Sequence, residues 1–156
     1  MIDRAKQPCI VVTAEAVHAE SIANFQVAMA MESEGLALNH ERVRQGVQSV
    51  FTDKTKGQYI VALNNELVVG SLMITREWSD WNCSWYWWIQ SVYVAPLFRG
   101  RGIYRAMYHY VLTQAQSEGI SQVRLYVDKN NTTAQRVYQK LGMTECHYLL
   151  YETEVK

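Results

Sequence analysis

One segment leaves few options for the fold around it: Val92-Tyr93-Val94-Ala95-Pro96-Leu97-Phe98-Arg99-Gly100-Arg101-Gly102-Ile103. The β-favouring run from Tyr86 to Val94 has to end at Pro96, which has no N–H to give to a ladder. Gly102 then opens an amphipathic helix with Ile103, Ala106, Met107, Tyr110 and Val111 on one face, closing near Gly119. The first N–H groups of such a helix have no partner within it, and the positive end of its dipole lies at the same place. That combination is an anion site, and Gly100 and Gly102 let a phosphate come close to the backbone. Arg99, Arg101 and Arg105 add positive charge, while no Asp or Glu occurs between Asp80 and Glu118. Over the whole chain 15 basic residues balance 15 acidic ones. No global field therefore draws the protein to nucleic acid or to a membrane surface, and an anion must be held locally. The G-x-x-x-x-G-K-[ST] phosphate loop is absent, and a dinucleotide fingerprint would need a glycine at Arg105.

The other elements follow from periodicity. Ile10-Val11-Val12 reads as a strand, with Thr13 capping a helix that carries Val17, Ile22, Phe25 and Met29. Glu32 to Asn39 reads as a loop, and Asn39 caps a second helix with Val43, Val47, Val50 and Phe51 at helical spacing. Tyr59 to Leu63 and Leu67 to Thr75 read as strands joined at Asn64-Asn65. Trp78 to Ser84 reads as a loop. After the central helix, Val123 to Asp128 alternates as a half-buried strand. A helix from Asn131 turns Ala134, Val137, Tyr138 and Leu141 inward and stops at Gly142. A last strand is expected from about Cys146 to Glu152. The order β-α-α-β-β-β-α-β-α-β is an α/β (α+β) fold with a mixed sheet flanked by helices, in a single domain over residues 1–156.

Cys9, Cys83 and Cys146 are scattered and odd in number, which points to a reducing compartment, and no Cys/His cluster has metal-ligand spacing. The start of the chain has no apolar leader, and no run approaches a membrane span. The expectation is a cytoplasmic protein without a metal.

Arg99-Gly100-Arg101-Gly102-Ile103 resembles the pyrophosphate-binding (Q/R)-x-x-G-x-(G/A) segment of the GNAT (GCN5-related N-acetyltransferase) superfamily, with Tyr104 at the position where the family has Gly or Ala. Asn131-x-x-Ala134-x-x-x-Tyr138-x-x-Leu141-Gly142-Met143 resembles that family's next segment, in the expected order. The resemblance is close over residues 86–143 and loose over the rest of the chain. It implies a transferase that moves an acetyl group from acetyl-CoA to an amine, by direct attack in a ternary complex. Residues Val92, Tyr93, Val94, Arg99, Gly100, Arg101, Gly102, Ile103, Tyr104 and Asn131 would hold the coenzyme. Pantetheine would pair with backbone groups of Val92 and Val94 as an added strand does. An N–H near Val92 would stabilise the oxyanion.

Tyr138 matches the family's general acid for the leaving thiolate; by position alone it is equally a core aromatic. Asn131 is a helix cap, a coenzyme contact, or both. Where some members keep a glutamate on the fourth strand, this chain has Trp88. Glu32 and Glu34 after the first helix, and Glu77 and Asp80 after the third strand, are the acids near an acceptor pocket, and the base stays unassigned. Trp78, Trp81, Trp85, Tyr86, Trp87 and Trp88 are too many aromatics for one strand to hide, so some should line a cleft or an interface. With Glu77 and Asp80, Trp78 and Trp88 would form a wall suited to a small cationic or amphipathic amine. A catalytically silent acyl-CoA-binding module is the alternative reading. The acceptor's identity and the oligomeric state stay open, a homodimer among them.

Overall fold

The structure, a computed structural model, describes residues 8–156. Five strands, β1 (Ile10–Thr13), β2 (Gln58–Asn64), β3 (Leu67–Ser79), β4 (Ser84–Val94) and β5 (Gln122–Arg124), form one sheet in that order. The first four are antiparallel neighbours and β5 runs parallel to β4. Helices α1 (Ala19–Glu34), α2 (His40–Thr52), α3 (Ile103–Ser117) and α4 (Thr132–Lys140) complete the order. The mixed α/β class expected from the sequence is the class observed. The chain divides into two compact units between Leu125 and Tyr126, so the sheet and α1–α3 lie in the first and α4 in the second.

Sequence explains how the first unit is layered. Tyr59, Ile60, Val61 and Ala62 on β2 are all buried, which requires cover on both faces of the sheet. Tyr59 and Val61 pack with Ile22 and Ala23 of α1 and Val47 and Val50 of α2. Ala62 pairs with Gly70, and a Cβ at Gly70 would stand 3.1 Å from Ile103 Cγ2 and 3.3 Å from Met107 Cε. Hence α1 and α2 cover one face, and α3 lies so close on the other that a side chain at Gly70 would have to displace Ile103 or Met107.

Several boundaries differ from the sequence reading. Thr13 ends β1 and meets the Tyr110 hydroxyl of α3, its N–H donating at 3.2 Å. The helical stretch starts later, where the N–H of Glu15 donates to His18 Nδ1 at 3.0 Å. Helix α1 runs on to Glu34 and is ended by Gly35 at φ 65°, so Glu32 and Glu34 sit on its last turn and not in a loop. Met-Glu-Ser-Glu loses the apolar period but keeps adequate helix propensity. β3 continues through Glu77 and Trp78 to Ser79, which places both on a strand. Strand β5 stops at Arg124 instead of Asp128. The last expected strand is not formed: no strand follows α4 among the described residues. His147-Tyr148-Leu149-Leu150-Tyr151 has no alternation to choose a face, and Tyr148 to Tyr151 are all exposed.

The central hairpin has one irregularity. Ser71 pairs with Tyr93 and Met73 with Gln90, so Ser91 and Val92 together face Leu72. Leu72 is completely buried behind this bulge. Leu72→Ala should therefore lower the unfolding free energy by roughly 2–5 kcal/mol in urea titrations, since it removes a fully buried side chain.

Candidate functional site

The site grows from the bulge. Ser91 has φ 54°, a left-handed conformation that a side chain resists by about 1–2 kcal/mol. Past it, the N–H of Ala95 donates to Val69 O at 2.9 Å. Tyr93 and Ala95 thus turn their backbone groups to β3, and Val92 and Val94 turn theirs to the opposite edge. On that edge β5 accompanies β4 only from Tyr86 to Trp88. The C-terminal half of β4 therefore presents a strand edge outside the β5 ladder, the kind of edge an extended ligand can join.

Beyond β4 the chain makes a short 3-10 turn, Pro96–Phe98, and reaches α3 through Gly100 (φ 74°) and Gly102 (φ 77°). At these angles a Cβ would be strained at either position. No side chain caps α3, and its first turn carries no acid. Its N-terminus therefore keeps its attraction for an anion. The Arg105 guanidinium lies over Gly102, with Nη2 3.4 Å from where a Cβ would be, and Arg101 stacks on Phe98 at 5.5 Å. Ile103 is buried against the sheet and Tyr104 stacks on Tyr108 at 6.2 Å, so its ring is engaged along the helix.

An unforeseen group closes the strand side of this turn. Glu32 accepts the Tyr93 hydroxyl at Oε1, 2.6 Å, and Arg99 Nη2 at Oε2, 2.7 Å. Arg99 Nε donates to Val94 O at 2.8 Å, and its Cζ lies 5.2 Å from the centre of the Tyr93 ring. The three residues line a cavity of about 340 Å³ together with Met29, Ser33, Val92 and Val94. The Tyr93 hydrogen bond, and after it the Arg99 hydrogen bond, hold the Glu32 carboxyl below its ordinary range. Burial first, and then the neighbouring Glu32, push the Tyr93 phenol up.

The other acidic and aromatic candidates lie elsewhere. Glu77 pairs across the hairpin with Tyr86, roughly 20 Å along β4 from Val92. Its carboxylate accepts Trp88 Nε1 and approaches Arg124 Nη1 at 3.6 Å, while Arg124 stacks on Tyr86 at 4.2 Å. Trp78 meets Trp85 edge-to-face at 5.1 Å, and Asp80 is exposed in the hairpin turn. Tyr86 and Trp87 are buried, and Trp81 is 89% exposed. The fold thus brings Glu32 to Val92, Tyr93, Val94 and Arg99, and leaves Glu77, Trp78, Asp80 and Trp88 at the other end of the hairpin. Glu34 is exposed at the end of α1.

In the second unit, Asn131 caps α4, its Oδ1 accepting the Ala134 N–H at 3.1 Å. Tyr138 lies on α4, and burial pushes its phenol up. Among the described residues no three His, Cys, Asp or Glu come together as a metal site, and no helix is long and apolar enough to cross a membrane.

Sequence reasoning missed two features. Nothing in Gln90-Ser91-Val92 marks a bulge, because the left-handed residue is a serine. The Glu32–Arg99 pair joins residues far apart in the chain, and its only trace was an acid at the end of the first helix.

Comparison with known proteins agrees with this fold. A family model described as acetyltransferase (GNAT) family matches residues 24–143. A solved structure of a possible acetyltransferase from Clostridium difficile 630 shares 36% identity and superposes with a TM-score of 0.89, covering 96% of this chain and 99% of that one. A predicted acetyltransferase with acetyl-CoA from Clostridium acetobutylicum, 16% identical, has the same fold with a TM-score of 0.75 over 94% of this chain and 96% of that one. A mycothiol acetyltransferase from Thermobispora bispora is 46% identical over 59 residues, which are 36% of this chain and 20% of that protein.

The site yields a direct test of its electrostatics. Tyr93→Phe removes the largest cause of the lowered Glu32 pKa, so the carboxyl should titrate closer to the ordinary glutamate value in a carboxyl-carbon NMR titration. Because the folded-state value is depressed, the contribution of this group to stability is present above the unfolded value and is lost as pH falls through the folded one. In Tyr93→Phe that contribution should be smaller, and its loss should be complete at a higher pH.

Proposed function

The chain belongs to the acetyltransferase (GNAT) family, and from that premise we propose that it transfers an acetyl group from acetyl-CoA to the amine of a small molecule. The observation that carries the reading is the edge of β4 at Val92 and Val94, continuous with the uncapped, glycine-flanked start of α3. An edge beside a helix N-terminus matches a ligand with an amide-bearing arm at one end and a pyrophosphate at the other. In this reading residues 1–156 act as one domain in the cytoplasm, and no metal is required.

The chain's own groups supply most of the chemistry. The Val92 N–H, directed to the open edge, polarises the thioester carbonyl and holds the oxyanion formed when the amine nitrogen bonds to that carbon. As the carbon–sulfur bond breaks, Tyr138 gives its proton to the departing thiolate. A phenol raised by burial is fully protonated at neutral pH, which suits a donor. The resemblance of Asn131 to Met143 to the family's segment supports that role. The proton lost from the amine goes to water or to a base not yet assigned; Glu32, with both oxygens engaged and its pKa lowered, is poorly suited to take it.

The acceptor is drawn from the same geometry. Met29, Val92 and Val94 make part of the cavity apolar, and the charges of Glu32 and Arg99 cancel within it. A small amphipathic amine fits this lining better than a polycation does.

The test is a thiol-release assay with acetyl-CoA against a panel of small amines. Release dependent on an amine is expected; coenzyme binding without turnover on any amine would favour a silent binding module. Gly102→Val should abolish detectable coenzyme A binding in calorimetry, because the β-branched residue cannot hold φ 77° and its side chain enters the phosphate path. Unchanged affinity in the folded variant would refute the cradle. Tyr138→Phe should lower kcat by roughly a hundredfold or more while leaving coenzyme affinity little changed, the pattern of a lost general acid. Full turnover in that variant would remove Tyr138 from the chemistry.

A further inference from the structure

Two glycines in the left-handed region make the turn after β4 soft. Gly100 and Gly102 flank Arg101 and adopt either sign of φ with little preference, so the covalent chain alone does not hold the start of α3 against the end of β4. The α3 side of the turn is fixed by Ile103 and Met107, both buried against the sheet. On the strand side the short 3-10 turn holds itself through Phe98 N–H to Ala95 O and Arg99 N–H to Pro96 O, and the Arg99 side chain ties it to Val94 and to α1.

Arg99 reaches back over residues 95–98 to the Val94 carbonyl, at 2.8 Å. Such a long side chain keeps that position only if its far end is anchored. The anchor is Glu32 Oε2 at 2.7 Å, and the other oxygen of the same carboxylate takes the Tyr93 hydroxyl at 2.6 Å. The Tyr93 ring lies under the guanidinium and meets Phe25 of α1, with centroids 4.9 Å apart. Charged partners, two oxygens engaged and a ring beneath the cation are the features that give an Arg–carboxylate contact a defined orientation. The carbonyl that Arg99 occupies is one of the Val92/Val94 groups on the open edge of β4, and its guanidinium faces Glu32. Its Nε and Nη2 are thereby engaged by protein partners.

We propose that Glu32 is a positioning residue of the acyl-donor site, holding Arg99 and Tyr93 together so that the Arg99–Gly102 turn is preformed for the pyrophosphate and tied to the end of α1. The proposal rests on the acetyl-CoA reading of the turn and gives the carboxylate a role away from every reacting atom. A preformed turn spares the ligand the cost of ordering two glycines, so losing the anchor should appear as weaker coenzyme binding. The same joint fixes the last turn of α1, from which Met29 and Ser33 enter the cavity, so the acceptor side should loosen as well.

Glu32→Gln tests this, since it keeps the size and one acceptor oxygen but loses the charge that holds Arg99. Coenzyme A titrated by calorimetry should bind roughly tenfold more weakly, the KM for the amine should rise, and kcat should fall no more than about threefold. Glu32→Asp, which retains the charge, should recover at least part of the affinity. Because the residues act as one unit, Glu32→Gln with Arg99→Gln should bind no worse than the weaker single variant. A collapse of kcat with unchanged affinity would overturn the proposal and make Glu32 the base. A changed melting temperature with unchanged affinity and kcat would also overturn it, leaving a merely structural ion pair. If wild-type protein binds no coenzyme A, the acyltransferase reading fails and takes this proposal with it; if wild type binds and Glu32→Gln binds equally well, only this proposal fails.

Discussion

The fold of the site depends on one extra residue in one strand. Where Ser91 and Val92 stand opposite Leu72, β4 gains a residue over β3, and the direction of its backbone groups changes across that point. Strand β5 accompanies β4 only over Tyr86–Trp88, so the edge opens where β5 ends, and the bulge beyond sets which backbone groups face it. The irregularity persists because the surroundings over-determine it: Leu72 is fully buried beneath it, Ile89 and Tyr93 are buried on either side, and the Ala95–Val69 hydrogen bond resumes the ladder beyond it.

The second constraint is the abrupt change of backbone conformation after Val94. Pro96, Gly100 and Gly102 are residues for which a particular backbone is cheap or enforced, and together they turn a strand into a helix start within a few residues. The helix is then held by burial, with Met107 and Val111 fully enclosed. Backbone freedom and packing are thus supplied by separate residues: glycines at the open end of the helix, apolar side chains along its inner face.

This division explains which parts could be read from the sequence. The strand, turn and helix from Tyr86 to Ser117 were legible because their ends are marked by residues with distinct backbone chemistry. The N-cap role of Asn131 was legible for the same reason. The bulge was not, because any residue can occupy it if its neighbours force it. The end of α1 was misplaced because its last turn, Met31-Glu32-Ser33-Glu34, continues no apolar stripe, and helix pattern reading depends on one. The acid-free stretch from Trp81 to Ser117 was a true statement about the chain but not about space, since the fold delivers Glu32 to Arg99. The grouping of Glu32 with Glu77 and Asp80 failed because adjacency in function was inferred from residue type, and the long hairpin separates them. The last strand was misread because an apolar run without alternation says that residues are hydrophobic, not what they pair with.

The long reach of the Glu32–Arg99 contact bears on how such a protein can change over generations. Under the proposed function, substitutions at the end of α1 reshape the acceptor side, since that turn contributes to the cavity wall. The same turn holds Arg99, the residue that begins the glycine-containing turn before α3. In that reading, an exchange that removes the acid at position 32 while reshaping that wall would also release Arg99. The first half of the chain thus carries a restriction that originates in the second.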